Sequence, residues 1–165
     1  MFIFAARRQR TIVSLSLASA AFKHGDRVPV RHTCDAADLS PPLAWSGGPE
    51  GTKSYALIAD DPDAPMGVFT HWVVVNVPPE VRDLPEGVPR GKPLTVGGVQ
   101  GTNDFGVVGY GGPCPPPGKP HGYRFRLYAL DTLLNQRGGA SRNEILRAIR
   151  GHVLAEAELV GTYGR

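Results

Sequence analysis

The sequence has 165 residues, of which 41% are apolar and 20% are charged, a composition that excludes an intrinsically disordered chain. The net charge is +3, and the lysines and arginines are scattered rather than arranged in a basic stripe with aromatic residues, so nucleic-acid binding is not expected. No apolar run approaches the roughly 18 residues of a membrane-spanning helix. The 21 glycines and 16 prolines predict many turns and few long helices, hence a mainly β fold in one domain over 1–165.

The N-terminal segment allows three interpretations. Residues 1–22 contain basic residues, a mildly apolar run and an alanine-rich stretch, which loosely resembles a secretory signal. The alternation from Ile12 to Leu17 favours a first β-strand instead. A non-native upstream start is the third interpretation. We expect the strand, with 1–11 as a peripheral or disordered extension, and a cytoplasmic protein.

Two cysteines are present, Cys34 and Cys114, far apart in the sequence. They form no C-x-x-C motif, so a zinc site built on thiolates is not expected. Whether they pair cannot be read from the sequence. We expect two reduced thiols, as is usual in the cytoplasm.

The central part of the chain predicts two strands and a long irregular connection. Residues 54–60 (SYALIAD) form a short apolar run typical of a buried strand, which ends at the prolines of Asp61–Pro65. Residues 70–77 (THWVVVNV) are β-branched and aromatic, as in a second strand. Residues 83–118 are rich in glycine and proline and are predicted to be mostly irregular, and such long connections are often functional.

The C-terminal part predicts a strand, a helix and a closing strand. Residues 121–130 alternate clearly, so that His121, Tyr123, Phe125, Leu127 and Ala129 share one face. A capping box from Ser141 to Glu144 predicts a helix start, and Gly151 provides its end. The alternation in 152–160 predicts the last strand.

Polar residues at strand ends predict the mouth of a pocket. The prolines around Asp61 and Asp63 make their loop stiff, which holds the carboxylates in place. His121 and Tyr123 begin a strand on one face, above apolar residues. His71 begins the other strong strand, and strict alternation predicts that Val73, Val75 and Val77 continue its face.

Such a pocket suits a small anion. Imidazoles and a phenol donate hydrogen bonds to phosphate or carboxylate oxygens, and the amides of Gly109–Gly112 can add donors. Asp61 would orient a histidine or share a proton with a partly protonated phosphate. Three structural alternatives stay open: Asp61 and Asp63 in an Asx turn, the histidines as structural residues, and the Gly/Pro segment as an Ω-type surface loop.

Five stretches of the chain carry further motifs: CDAADLSPPLAW, ALIADDPDAP, FTHWVVVNVP, GTNDFGVVGYGGPCPPPGKPHGYRFRLYALD and HVLAEAELVGTYGR. As a set they resemble the phosphatidylethanolamine-binding protein family, in particular its bacterial and archaeal Raf-kinase-inhibitor-like branch. The resemblance implies a β-sandwich of antiparallel sheets with Greek-key links and a few short helices. We expect the chain to lack the extra C-terminal helix of the mammalian members, which would leave the pocket more open.

The resemblance also implies an anion pocket for phosphate, phosphorylated head groups, acetate or cacodylate. The residues that match the family's pocket are Asp61, His71, Gly112, His121 and Tyr123, with Tyr110 beside them and Asp63, Pro65 and Pro113 in support. Many members have His-Arg-Tyr where this chain has His121-Gly122-Tyr123, which puts in doubt any role taken from that arginine.

The predicted function is therefore non-catalytic binding of a small anion or phosphorylated ligand, with no cofactor, no metal and no catalytic residue. A partner kinase or protease, regulated by the protein, and a homodimer are implied by resemblance only. A metal-dependent hydrolase using the Asp and His cluster is one alternative, although no H-E-x-x-H or nucleophile-elbow motif is present. A protease inhibitor is the other.

Overall fold

The computed structural model of the protein describes residues 14–165 and contains two antiparallel β-sheets and one short α-helix. The elements are β1 Ser16–Ala18, β2 Leu43–Ser46, β3 Ser54–Asp61, β4 Phe69–Val77, β5 Asp83–Leu84, β6 Val99–Gln100, β7 His121–Leu130, α1 Arg142–Ala148 and β8 Val153–Tyr163. The mainly β prediction is confirmed. The predicted extension 1–11 and the start of the predicted first strand lie outside the described residues. Within 14–165 no helix is long and apolar enough to cross a membrane.

The larger sheet has the strand order β6-β4-β3-β7-β8, and the smaller sheet has the order β1-β2-β5. β3 lies at the centre of the larger sheet, and all eight of its residues are buried. Burial on both faces explains why its sequence is a continuous apolar run rather than an alternating one. β7 has the bounds predicted from its alternation, His121–Leu130.

Apolar residues pack on both faces of the larger sheet. The first cluster lies between the two sheets and includes Phe125 and Leu127 of β7 together with Leu43 and Trp45 of β2. The second cluster lies on the opposite face, beneath α1. Its members include the residues Ala56, Ile58, Val73, Val75, Tyr128, Leu130, Ile145 and Ile149. Side chains that are neighbours along a strand therefore belong to different clusters, as the period of two requires.

A β-bulge in β4 interrupts this alternation. Asp60 of β3 is paired with Thr70 of β4. Ala59, which precedes Asp60 in β3, is paired with Trp72. His71 lies between Thr70 and Trp72 and has no partner in β3, so it is the extra residue of the bulge. An extra residue turns the side chains that follow it to the opposite face.

The prediction that His71 shares a face with the valines that follow it is wrong for two of the three. Val73 and Val75 belong to the second cluster, under the helix. The ring of His71 instead packs edge-on against Tyr123, with the centroids 5.2 Å apart, on the side of the first cluster. A second register shift, between Tyr55 and Leu57 of β3, returns Val77 to the first cluster.

The helix begins as predicted. Ser141 is its N-cap, and the Ser141 hydroxyl accepts a hydrogen bond from the amide of Glu144. Gly151, which follows the helix, has a φ of +78°, a conformation that glycine adopts without steric strain. The predicted irregular segment 83–118 contains two strands of two residues each, β5 and β6, and otherwise follows the prediction.

Cys34 and Cys114 form a disulfide, so the expectation of two reduced thiols is wrong. The bond joins residues 80 positions apart. The Cys34 amide also donates to the carbonyl of Pro113 at 3.1 Å, which brings the two chain segments side by side. No local pattern in the sequence reports this contact, because it depends on how two distant loops cross.

Candidate functional site

A cavity of about 130 Å³ lies where the end of β3 meets the starts of β4 and β7. The three strands are antiparallel neighbours, so the last residue of β3 lies beside the first residues of the other two. The segment after Pro113 forms a further wall. The lining residues are Asp61, Ala64, Pro65, Phe69, His71, Phe105, Cys114, Pro115, Pro116, His121 and Tyr123.

Asp61 holds His121 in one orientation. The Asp61 carboxylate is buried, and its Oδ2 lies 2.7 Å from Nδ1 of His121. Its Oδ1 accepts the amide of Asp63, also at 2.7 Å. The two roles considered from the sequence, an Asx turn and the orientation of a histidine, therefore occur together. Asp63 in turn accepts the amide of Gly122, which ties the loop to β7.

His71 is oriented in the same way by a backbone carbonyl. Its Nδ1 lies 2.6 Å from the oxygen of Gly111, and because a carbonyl only accepts, Nδ1 carries the proton. Burial lowers the pKa of His71, although the Gly111 carbonyl and the charge of Asp61 partly oppose this shift. The neutral ring then has an unprotonated Nε2.

Tyr123 has a buried hydroxyl with no hydrogen-bond partner within residues 14–165. Burial, together with the nearby charges of Asp61 and Asp63, raises its pKa well above the ordinary value for tyrosine. The hydroxyl therefore keeps its proton and remains a donor. A buried polar group without a partner is uncommon in folded proteins and calls for an explanation.

Three polar atoms on the residues that line the cavity have no hydrogen-bond partner within residues 14–165: the Tyr123 hydroxyl and Nε2 of both His71 and His121. The walls between these atoms are apolar, from Pro65, Phe69, Phe105 and Pro115 among others. A few polar groups in an apolar concave site are typical of a binding site for a small molecule.

Two residues expected to bind the ligand, Tyr110 and Gly112, do not line the cavity, and neither do Asp63 and Pro113, which were expected in support. Tyr110, Gly112 and Pro113 have partners elsewhere. The Tyr110 hydroxyl donates to the carbonyl of His32 at 2.7 Å, in the interior of the protein. The Gly112 amide donates to Asp38 at 2.8 Å, and the Pro113 carbonyl accepts from Cys34. All three hold the loop behind the cavity wall. Pro65 does line the cavity.

The glycine-rich loop does not offer its amides to a ligand as expected. The amides of Gly109 and Gly111 donate to the carbonyls of Gly101 and His71, and that of Gly112 donates to a carboxylate. These three donors are used within the protein and are not available to a ligand.

One charged cluster near the site was not anticipated. Asp60 is fully buried on the opposite face of the sheet from Asp61. Its carboxylate accepts from Arg124 and Arg126 at 2.9 Å and from Arg142 at 3.0 Å. The alternation of β7 places both of its arginines on one face, but their buried partner comes from another strand. This cluster holds the end of β3 from behind the cavity.

The described residues contain no group of three or more histidines, cysteines, aspartates and glutamates arranged to hold a metal ion. Phe69 and Phe105 were not singled out from the sequence either. Their rings pack edge-to-face with the centroids 4.7 Å apart, and each contacts the ring of His71. No local signal distinguishes them from ordinary core residues.

The fold and the site define a class: an antiparallel two-sheet protein with a small cavity lined by one carboxylate, two imidazoles and a phenol. The family model described as "Phosphatidylethanolamine-binding protein" matches residues 18–164. The chain therefore belongs to the phosphatidylethanolamine-binding protein family, as its motifs predicted.

Relatives and solved structures agree with this assignment. A UPF0098 protein of Methanothermobacter thermautotrophicus is 54% identical over 92% of this chain and 99% of its own length. A UPF0098 protein of Pyrococcus horikoshii is 49% identical over 89% of this chain and 75% of its own. The crystal structure of a phosphatidylethanolamine-binding protein homologue from Chlamydia trachomatis is similar with a TM-score of 0.83 and 39% identity, covering 93% of this chain and 99% of that one. The crystal structure of Escherichia coli YbcL is similar with a TM-score of 0.86 and 39% identity, covering 92% of this chain and 99% of that one.

Proposed function

We propose that the protein binds a small phosphate-type anion, such as inorganic phosphate or a phosphorylated head group, without catalysing a reaction on it. The observation that carries the proposal is the buried hydroxyl of Tyr123, which has no partner within 14–165 and lies in a cavity with two oriented imidazoles. An anion oxygen would satisfy that hydroxyl. The family name, which refers to a phosphate-containing lipid, supports the same ligand chemistry.

The state of the histidines decides what kind of anion fits. In the neutral tautomer, Nε2 of His71 carries a lone pair that repels an anion oxygen. A proton placed between Nε2 and the ligand removes this repulsion and forms a charge-assisted hydrogen bond. Phosphate monoesters exchange their second proton near pH 6 and can provide it. The site therefore favours a protonatable anion, or one that binds together with a proton.

The size of the cavity limits the ligand. About 130 Å³ is well below the roughly 300 Å³ at which sites for drug-sized molecules begin. A phosphate with a short substituent fits this volume, and the proline and phenylalanine walls can contact the carbon atoms of that substituent. The ligand we propose is therefore a head group or a small phosphomonoester.

A titration followed by histidine NMR signals tests the proposal. We expect inorganic phosphate and O-phosphorylethanolamine to shift the imidazole signals of His71 and His121. His152 is a matched control, because its Nδ1 also lies 2.8 Å from a carboxylate, that of Asp131, but at the other end of the β7–β8 pair, about 30 Å away. If all three histidines shift alike, or none shifts at millimolar ligand, the proposal fails.

A hydrolase is the second candidate, because the Asp61–His121 pair has the geometry of an oriented general base. The lining residues include no serine or threonine, and the thiol of Cys114 is consumed in the disulfide, so these groups cannot form a covalent phosphoenzyme. The remaining route is attack by water, and the proposed binding function predicts no release of phosphate from O-phosphorylethanolamine by the purified protein. Release that is lost in Asp61→Asn would favour the hydrolase.

The wider biological role is a further part of the proposal. Four expectations from the sequence belong to it: regulation of a kinase or protease, protease inhibition, homodimer formation and a cytoplasmic location. Affinity capture of partner proteins can be done with the wild-type protein and with the Tyr123→Phe variant as baits. Partners that only the wild-type protein captures depend on the cavity, and partners that both baits capture do not.

A further inference from the structure

The disulfide lies beside the cavity and is open to solvent. Cys114 is exposed and lines the cavity, and Cys34 is half-buried on the segment that crosses behind it. A reductant in solution can therefore reach the bond. A disulfide that serves only as a structural crosslink is more often buried and inert.

The wall next to Cys114 has few other attachments. Residues 115–117 are prolines, which have no amide proton to donate. Among residues 114–118, the only backbone hydrogen bond within the described chain runs from the amide of Gly118 to the carbonyl of Arg165, at 3.3 Å. Apart from the packing of Pro115, which is buried, the positions of Pro115 and Pro116, which line the cavity, therefore depend on the disulfide on one side and on Arg165 on the other.

A positive charge lies against both sulfur atoms. Nη2 of Arg165 is 3.1 Å from Sγ of Cys34 and 3.4 Å from Sγ of Cys114. A guanidinium at this distance stabilises a thiolate, which makes either cysteine a better leaving group during thiol–disulfide exchange. Within residues 14–165, Asp35 is the one carboxylate bound to the same guanidinium, at 2.8 Å, and its negative charge opposes this effect in part.

The same residues connect the disulfide to the site. Asp35 accepts a hydrogen bond from the hydroxyl of Tyr163, and Tyr163 is paired with His121 across β7 and β8. Breaking the disulfide would therefore free the proline wall and loosen the contacts of the strand that carries His121.

We propose that the Cys34–Cys114 disulfide is a redox-sensitive crosslink that holds the proline wall of the anion cavity in place, and that its reduction weakens anion binding. This inference rests on the proposed function. The reductant is a dithiol: one of its thiolates attacks a sulfur of the bond, the other cysteine leaves as a thiolate, and the second thiol of the reductant then resolves the mixed disulfide. Two cysteine thiols and one oxidised dithiol result, with two electrons and two protons transferred to the protein.

The test compares oxidised protein with protein reduced by dithiothreitol, using inorganic phosphate as the ligand. We expect the reduced protein to stay folded by circular dichroism and its Kd to rise by about 5- to 150-fold, the range found for coupled sites. Reoxidation should restore the Kd, and the double variant Cys34→Ser/Cys114→Ser should match the reduced protein without any reductant. An unchanged Kd, or cooperative unfolding on reduction, would overturn the inference.

Two further measurements separate this inference from the proposed function. Amide exchange of residues 118, 119, 121 and 122 should increase on reduction whether or not phosphate binds. Unchanged exchange there would count against the crosslink even if the oxidised protein binds. Failure of the oxidised protein to bind refutes the proposed function and, with it, the effect of reduction on anion binding, whereas the exchange rates still test the crosslink. Arg165→Gln should slow reduction of the disulfide at fixed pH. Arg150 is an exposed arginine just after the helix, and Arg150→Gln should leave the rate unchanged. Equal rates in the two variants would show that the Arg165 guanidinium has no role in the reduction.

Discussion

Replacing Tyr123 by phenylalanine should raise stability and weaken binding at the same time. The substitution removes only the hydroxyl, which is buried and has no partner within residues 14–165. A buried unsatisfied polar group costs about 1–3 kcal/mol, so the free energy of unfolding should rise by up to that amount. A hydrogen bond to a charged acceptor contributes about 1.5–3 kcal/mol, which corresponds to a Kd for phosphate about 12- to 150-fold higher.

Denaturant unfolding and calorimetric titration with phosphate measure the two effects separately. Tyr128→Phe is the matched control, because Tyr128 lies on the same strand but faces the second cluster. It should leave the Kd unchanged. A Tyr123→Phe variant that is less stable and binds phosphate as well as wild type would show that the hydroxyl serves the fold, and the reasoning about the site would be refuted.

Three further predictions concern protons and charge. Phosphate affinity should rise as the pH falls through the pKa of His71, because the added proton is donated to the anion; calorimetry in buffers of different ionisation enthalpy measures the proton taken up. The free energy of unfolding should be level above about pH 6.5 and fall below it, because burial lowers the pKa of His71 and the unfolded chain then binds more protons than the folded one. Asp60→Asn should lower the free energy of unfolding by about 3–5 kcal/mol, because three arginines lose their buried partner, whereas Asp131→Asn, at an exposed pair, should change it by less than about 1 kcal/mol.

Each of these has a result that would contradict it. Sulfate carries no exchangeable proton near neutral pH, so a pH dependence of sulfate binding would place the added proton on an imidazole. A phosphate affinity that falls on acidification would contradict the proposed hydrogen bond. If the free energy of unfolding of His71→Gln falls between pH 6.5 and 4 as it does in the wild type, the loss of stability belongs to other groups. An Asp60→Asn variant as stable as Asp131→Asn would mean that the arginine cluster is solvated rather than structural.

Local patterns predicted most of the secondary structure. The alternation of 121–130 predicted β7 at its observed bounds, because one face packs between the sheets and side chains repeat every two residues. The capping box predicted where α1 begins, because Ser141 and Glu144 lie within one turn of each other. These signals depend only on residues a few positions apart.

The candidate site was predicted in part. Two neighbouring pocket residues, His121 and Tyr123, followed from alternation alone. The pairing of Asp61 with His121 was one of several options for residues 60 positions apart, and the family resemblance, rather than spacing, brought them into one pocket. The same resemblance suggested Tyr110, whose hydroxyl is bound in the interior instead.

By itself the sequence determined the longer strands β3, β4, β7 and β8, where the helix starts, and which family the chain belongs to, since short-range periodicity and motifs carry that information; the short strands β2, β5 and β6 were not predicted. Only the tertiary structure decided the bulge that turns His71 toward Tyr123, the burial of Asp60 among arginines, and the disulfide between Cys34 and Cys114. Each of these depends on the register between strands or on the crossing of distant loops. Register is a property of two segments packed together, and neither segment contains it alone.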